Sequence, residues 1–255
     1  MAGPVRDGKN LLAPSPDSPF REPLKIDLFM KTQKNHEPEK KNGIEQVPVI
    51  FFSSPAPVLD TSRSDVWRPL IGGVLASDSS GTFTLGFAAT RNGQNGVVTV
   101  GHIGTVGTTV YQAFSPNAIG KVTVSSGGIS SDSSWIRTSN IQGKIYESSA
   151  SQASVWSYTD PWAGACVSMA GIATDYARSG RVVCRADVWN GEFSRLIPNQ
   201  WHDYSAQSGD SGAPVYINDS QHRIQVSGIH WGRTRYSIFS PVSGVMSDLG
   251  VQVIT

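Results

Sequence analysis

Gly209-Asp210-Ser211-Gly212 sets a serine among glycines, and that pattern suits a nucleophile. Glycine frees the backbone for a tight, partly strained turn that exposes a hydroxyl. In such a turn the amides of Gly209 and Ser211 can converge on a developing oxyanion, an effect worth about 3–4 kcal/mol per donor. A neutral hydroxyl attacks poorly, so a base must lie within hydrogen-bond reach. Of the five histidines, His102 alone closes a strand-like run, Val-Val-Thr-Val-Gly-His-Ile-Gly (97–104), where its ring would face a cleft. A histidine base needs a buried acceptor on its other nitrogen to fix the tautomer. Asp132 suits that role: it begins a segment, Asp-Ser-Ser-Trp-Ile (132–136), whose Trp135 and Ile136 are expected to pack inward. The order His, Asp, Ser is one of the known orders for such a triad.

The elements that must hold these residues read as β-structure. From residue 70 onward, short runs of Val, Ile, Thr, Phe and Trp alternate with Gly, Asn, Ser and Asp clusters. Segments 82–90 and 96–101 flank Arg-Asn-Gly-Gln-Asn and are expected to pair as a hairpin. Further strands are expected at 108–114, 120–125, 133–138, 165–171, 181–189, 213–218 and 223–232, and a short helix within 243–253. About twelve strands suit two packed barrels.

Bulk properties agree. A chain of 255 residues can bury a substantial core. Charged residues make up 16%, against about 25% for an average soluble chain. Lys+Arg number 21 and Asp+Glu 20, so no net field draws the chain to nucleic acid or an anionic membrane. No apolar run is long enough to span a bilayer. The first twenty residues lack the apolar core of a secretory signal, which implies either an intracellular protein or one whose leader is missing. Residues 1–69, rich in Pro, Lys, Glu and Ser, form an N-terminal arm: a docked propeptide, with 47–52 as an edge strand, or a disordered tail. No cluster has metal-ligand spacing, and no cofactor is implied.

Several segments together carry a resemblance. Leu70-Ile71-Gly72-Gly73, Thr84-Leu85-Gly86-Phe87, Val100-Gly101-His102-Ile103-Gly104, Asp132-Ser133-Ser134-Trp135-Ile136, Ser208-Gly209-Asp210-Ser211-Gly212 and the closing 239–253 stretch occur in the order seen in the chymotrypsin family. The chain resembles that family's bacterial branch, the streptogrisins and alpha-lytic protease, over residues 70–255. The resemblance implies an all-β fold of two packed antiparallel six-stranded β-barrels with a short C-terminal helix and an extended N-terminal arm. It also implies a serine endopeptidase acting on proteins or peptides, monomeric and without a cofactor, with His102, Asp132 and Ser211 as triad and Gly209 and Ser211 as oxyanion hole.

The same resemblance sets finer expectations. Ile103 stands where the family has a half-cystine, so that disulfide is missing, whereas Cys166 and Cys184 lie near the family's second bridge and form a candidate disulfide. Asp210 is expected to pair with a freshly cut N-terminus at Leu70 or Ile71, making 1–69 a zymogen leader, or with an arginine. Gly-Ile-His-Trp-Gly (228–232) is similar to the glutamyl endopeptidases, where this histidine contacts the substrate carboxylate. Ser205, Ser208, His230, Trp231, Gly232 and Arg233 are therefore the candidate pocket, with Glu or Asp preferred before the scissile bond. The alternatives are an aromatic or aliphatic preference, with His230 bonded to backbone, and a catalytically silent interaction module. His202 is expected at the rim or in a structural role, and Trp135 and Trp189 in the core.

Overall fold

The computed structural model describes residues 61–148, 151–190 and 195–255. The arm lies outside these residues up to position 60, including the expected edge strand at 47–52. From Leu70 the chain is a succession of short strands, as the alternation of β-branched residues with turn formers requires. They run β1 (Leu70–Gly72), β2 (Leu75–Ser77), β3 (Thr82–Thr84), β4 (Ala88–Arg91), β5 (Gln94–Thr99), β6 (Thr109–Gln112), β7 (Ala118–Ser125) and β8 (Ser134–Arg137). The second half holds β9 (Ile141–Ser148), β10 (Ser151–Tyr158), β11 (Cys166–Met169), β12 (Arg178–Asn190), β13 (Arg195–His202), β14 (Pro214–Asn218), β15 (Ile224–Arg233) and β16 (Ser237–Pro241). Helix α1 (Val242–Leu249) and β17 (Gln252–Val253) end the chain.

Two sheets result. One has the strand order β17-β4-β5-β8-β7-β6-β2-β3. In the other, β16 pairs with both β13 and β15, so β15, β14, β11, β12, β13 and β16 form a ring of six, with β10, β9 and β1 appended. The expected hairpin forms between β4 and β5, where Asn92 and Gly93 have φ of 50° and 72°. Two positive φ values make the turn whose twist matches its strands, and Asn-Gly is the pair that adopts it at least cost. The helix covers only part of the expected segment, because Gly250 turns left-handed at φ 62° and the chain then adds β17 beside β4.

Cores follow the strands. Phe83, Leu85, Phe87, Val97, Val98, Trp135 and Ile136 are buried with residues of the second sheet such as Ile145, Tyr216 and Ile229. A second cluster gathers Val167, Met169, Val182, Tyr204, Val215 and Phe239. Trp135 is core, as expected, but Trp189 is 61% exposed, since it stands on the outward face of the long strand β12. The candidate disulfide is also corrected: Cys166 and Cys184 are free and exposed. The β11–β12 register sets Cys166 opposite Arg181, and Cys184 opposite Trp201 on β13, so the two thiols face different partners.

Candidate active site

The β5–β8 register brings the histidine and the aspartate together. Thr99 pairs with Ser134, so the turn after β5 and the loop before β8 leave the same end of the sheet. His102 Nδ1 lies 2.8 Å from Asp132 Oδ2. The Gly101 and His102 amides donate to Asp132 Oδ1 at 2.8 and 3.1 Å. Position 101 must be glycine because a Cβ there would sit 2.7 Å from that same oxygen. Asp132 is fully buried, a costly place for a carboxylate unless its lone pairs are occupied.

The loop that carries Asp132 is fastened from behind. Asp248 on α1 accepts the Ser130 amide at 2.7 Å and the Ser131 hydroxyl at 3.0 Å. Ser240 Oγ on β16 accepts the Asp132 amide at 3.0 Å. The serines flanking Asp132, which look like plain loop composition in sequence, are its mounting.

Ser211 lies on the turn before β14, half-buried, with Gly209 at φ 104° and Gly212 at φ 89°. A side chain at 212 would meet the Thr84 carbonyl and the Thr99 hydroxyl, so glycine is required by contact as well as by φ. These threonines tie the turn to the other half of the site. Thr84 N donates to Ser211 O at 2.9 Å, Thr84 Oγ1 to Gly209 O at 2.9 Å, and Thr99 Oγ1 to Thr84 O at 2.8 Å. Thr99 is three residues before His102, so one short chain of bonds links the serine turn to the histidine turn. Within the turn the amides of Asp210, Gly212 and Ala213 all donate to carbonyls. Those of Gly209 and Ser211 have no acceptor among the described residues, the condition an oxyanion hole demands. Ser211 Oγ makes no hydrogen bond among the described residues, and hydrogen bonds of this kind tighten when substrate arrives.

Asp210 departs from the arginine expectation: among the described residues its buried carboxylate meets no guanidinium and accepts the amides of Ala173, Thr174 and Gln207 at 2.9, 3.2 and 2.8 Å. Arg63, upstream of β1 and 3% exposed, donates instead to the carbonyls of Gly73, Tyr146, Glu147 and Asp175. Leu70 and Ile71 are themselves buried in β1, which runs parallel to β9.

The candidate pocket residues divide. Ser205 and Arg233 line one depression of about 310 Å³ with His202, Tyr204 and Ala206. Arg233 Nη1 donates to the Ala206 carbonyl at 2.5 Å. Ser208 is exposed, and Trp231, half-buried, donates its indole N–H to Asn199 Oδ1 at 2.6 Å. His230 joins the nucleophile turn through its backbone, its amide donating to Ala213 O and its carbonyl accepting Gly212 N. Its ring is 2% exposed, with Nδ1 3.0 Å from Tyr204 Oη. Burial lowers its pKa to about 3, with the charges of His102, His202 and Arg233 acting in the same direction. His202 lies in the core rather than at a rim, stacked 4.0 Å from Tyr204 and lowered by burial to about 4.

Tyr204, Arg63 and Asn190, whose Nδ2 donates to Asp132 Oδ2 at 2.9 Å, escaped the sequence reading. Each acts on a residue distant in the chain, and no local motif marks such a contact.

No protein-family model and no curated protein matches the chain. Solved structures do. Thermobifida fusca protease A superposes with a TM-score of 0.61 at 24% identity, covering 72% of this chain and 98% of that one. A Nocardiopsis protease gives 0.60 at 22%, covering 72% and 98%. A glutamic acid specific serine protease that uses a histidine triad in substrate binding gives 0.62 at 20%, covering 72% and 100%. The fold is therefore that of the bacterial chymotrypsin-like serine proteases.

Proposed function

We propose that the protein is a serine endopeptidase that hydrolyses peptide bonds through an acyl-enzyme. The observation that carries this reading is the 2.8 Å contact of His102 Nδ1 with a buried Asp132, on a framework bonded to the Ser211 turn. Ser211 Oγ attacks the carbonyl carbon while His102 Nε2 takes its proton, and the Gly209 and Ser211 amides receive the oxyanion. His102 then returns the proton to the leaving amine nitrogen, and water repeats the sequence on the acyl-enzyme. Asp132 keeps the imidazole in the Nδ1–H tautomer and stabilises its cation.

His230 supports a preference for Glu, or Asp, before the scissile bond. Tyr204 Oη is buried and, among the described residues, makes a hydrogen bond to His230 Nδ1 alone, so its proton is used when it donates there. The neutral ring then carries its hydrogen on Nε2, a donor suited to a carboxyl oxygen. The structural likeness to a glutamic acid specific protease agrees.

A fluorophosphonate probe tests the chemistry. Labelling of the wild type and not of Ser211→Ala is expected, and absence of labelling in folded protein favours a silent interaction module. Peptides with Glu, Phe or Ala before the cleaved bond test the pocket, and equal rates for all three refute the role of His230.

A further inference from the structure

The long β12–β13 hairpin belongs to the second sheet, yet one of its residues ends on the aspartate of the first. Asn190, the last residue of β12, is 3% exposed, and its Nδ2 donates to Asp132 Oδ2 at 2.9 Å. That oxygen is also the one bonded to His102 Nδ1. Together with the Gly101 and His102 amides on Oδ1, Asn190 completes two donors on each carboxylate oxygen. An ionised carboxylate offers about four lone-pair sites, so this acceptor is saturated. We infer that Asn190 is a positioning residue for the proposed triad: its amide holds Asp132 Oδ2 in the plane and direction that the His102 Nδ1–H requires. This rests on the reading of His102 and Asp132 as base and orienter.

The alternation of strand β12 strengthens the assignment. Trp189 faces solvent at 61% exposure while Asn190 turns inward, so the strand presents its polar residue to the carboxylate and its apolar one to water. That inversion of the usual pattern needs a reason beyond packing. Satisfying a buried carboxylate is one, because an unmet acceptor there is costly.

Two substitutions separate positioning from packing. Asn190→Ala removes the donor and leaves Asp132 Oδ2 with one bond. Asn190→Asp preserves shape but sets an acceptor against an acceptor. If Asn190 positions Asp132, the alanine variant loses about tenfold in kcat, the scale of one charge-assisted hydrogen bond, with KM within about twofold. At alkaline pH, where the new carboxylate is ionised, the isosteric aspartate variant falls further than alanine. A merely structural role predicts the reverse order, with aspartate the milder change, and that result would overturn the proposal. Melting temperatures of both variants identify any loss that comes from unfolding.

A second readout does not need turnover. The proton held between His102 Nδ1 and Asp132 Oδ2 should give a strongly downfield proton NMR signal in the wild type. Its shift or broadening in Asn190→Ala, with the rest of the spectrum intact, is expected. An unchanged signal in that variant refutes the inference. Because this signal exists without catalysis, failure of the protease reading, seen as an unlabelled Ser211, is distinguishable from failure of the role given to Asn190.

Discussion

Tyr204 Oη and His230 Nδ1 lie 3.0 Å apart, with Tyr204 3% and His230 2% exposed. Burial raises the phenol's pKa well above its ordinary value, so the pair consists of a neutral hydroxyl and a neutral imidazole across the physiological range. Tyr204→Phe keeps the ring that stacks on His202 but removes the hydroxyl, freeing His230 to change tautomer. Cleavage after Glu is expected to fall about tenfold in kcat/KM, the order of one hydrogen bond plus an unmet partner. Cleavage after Ala should fall much less. Parallel losses on both peptides would show that Tyr204 acts on the whole site rather than on the pocket.

Acid should loosen this protein through its buried histidines. His202 has its pKa lowered from 6.5 to about 4, and His230 from 6.5 to about 3, both by burial. A depressed histidine is neutral when folded and protonated when unfolded in that window, so the unfolded state binds more protons there. Its stabilising contribution is complete above pH 6.5 and is lost as pH falls toward the folded values. Melting temperature is expected to decline between pH 6.5 and 4; the Tyr204 amide donates to His202 Nδ1 at 2.8 Å, and His202→Asn, which retains an acceptor for it, should flatten that decline. An identical slope in the variant would remove His202 from the explanation.

Arg63 fixes where the chain can be shortened. It fills four buried or half-buried carbonyls with one guanidinium and packs 4.8 Å from the Tyr146 ring centroid. A chain beginning at Thr61 is expected to fold normally. Arg63→Met, or a chain beginning at Leu70, should lose about 3 kcal/mol or more, because the carbonyls left behind have no replacement donor. Chemical denaturation of the three proteins measures the difference, and equal midpoints would refute it.

Both cysteines should react with an alkylating reagent in the folded state, and a reductant should leave the melting temperature unchanged. Intact mass before and after treatment counts the modified thiols. Protection of both under oxidising conditions would show that Cys166 and Cys184 can bridge.

What sequence made legible was whatever is written locally. The glycines around Ser211, the Asn92-Gly93 turn and the strand-forming run at 223–232 each dictate their own conformation, and all appear as expected. Among the described residues seventeen strands stand against the expected twelve or so: β1, β2 and β17 carry too few residues to show a period, and β9, β10 and β13, though eight residues long, are polar runs that residue propensity does not mark. Contacts between distant segments were not legible. Asn190 reaches Asp132 across 58 residues and Arg63 reaches Glu147 across 84, and nothing in either neighbourhood signals the other. Trp189 misled for a related reason: residue type suggests burial, but the face of a strand decides it.

Asp210 has a consequence for control. Its charge is answered by main-chain dipoles from the 173–174 and 207 positions, all within the same folded unit. The turn that carries Ser211 is thus braced, through one buried carboxylate, by a loop 36–37 residues upstream. Whatever displaces the 173–174 loop withdraws support from the nucleophile, which makes that loop a route of control over it.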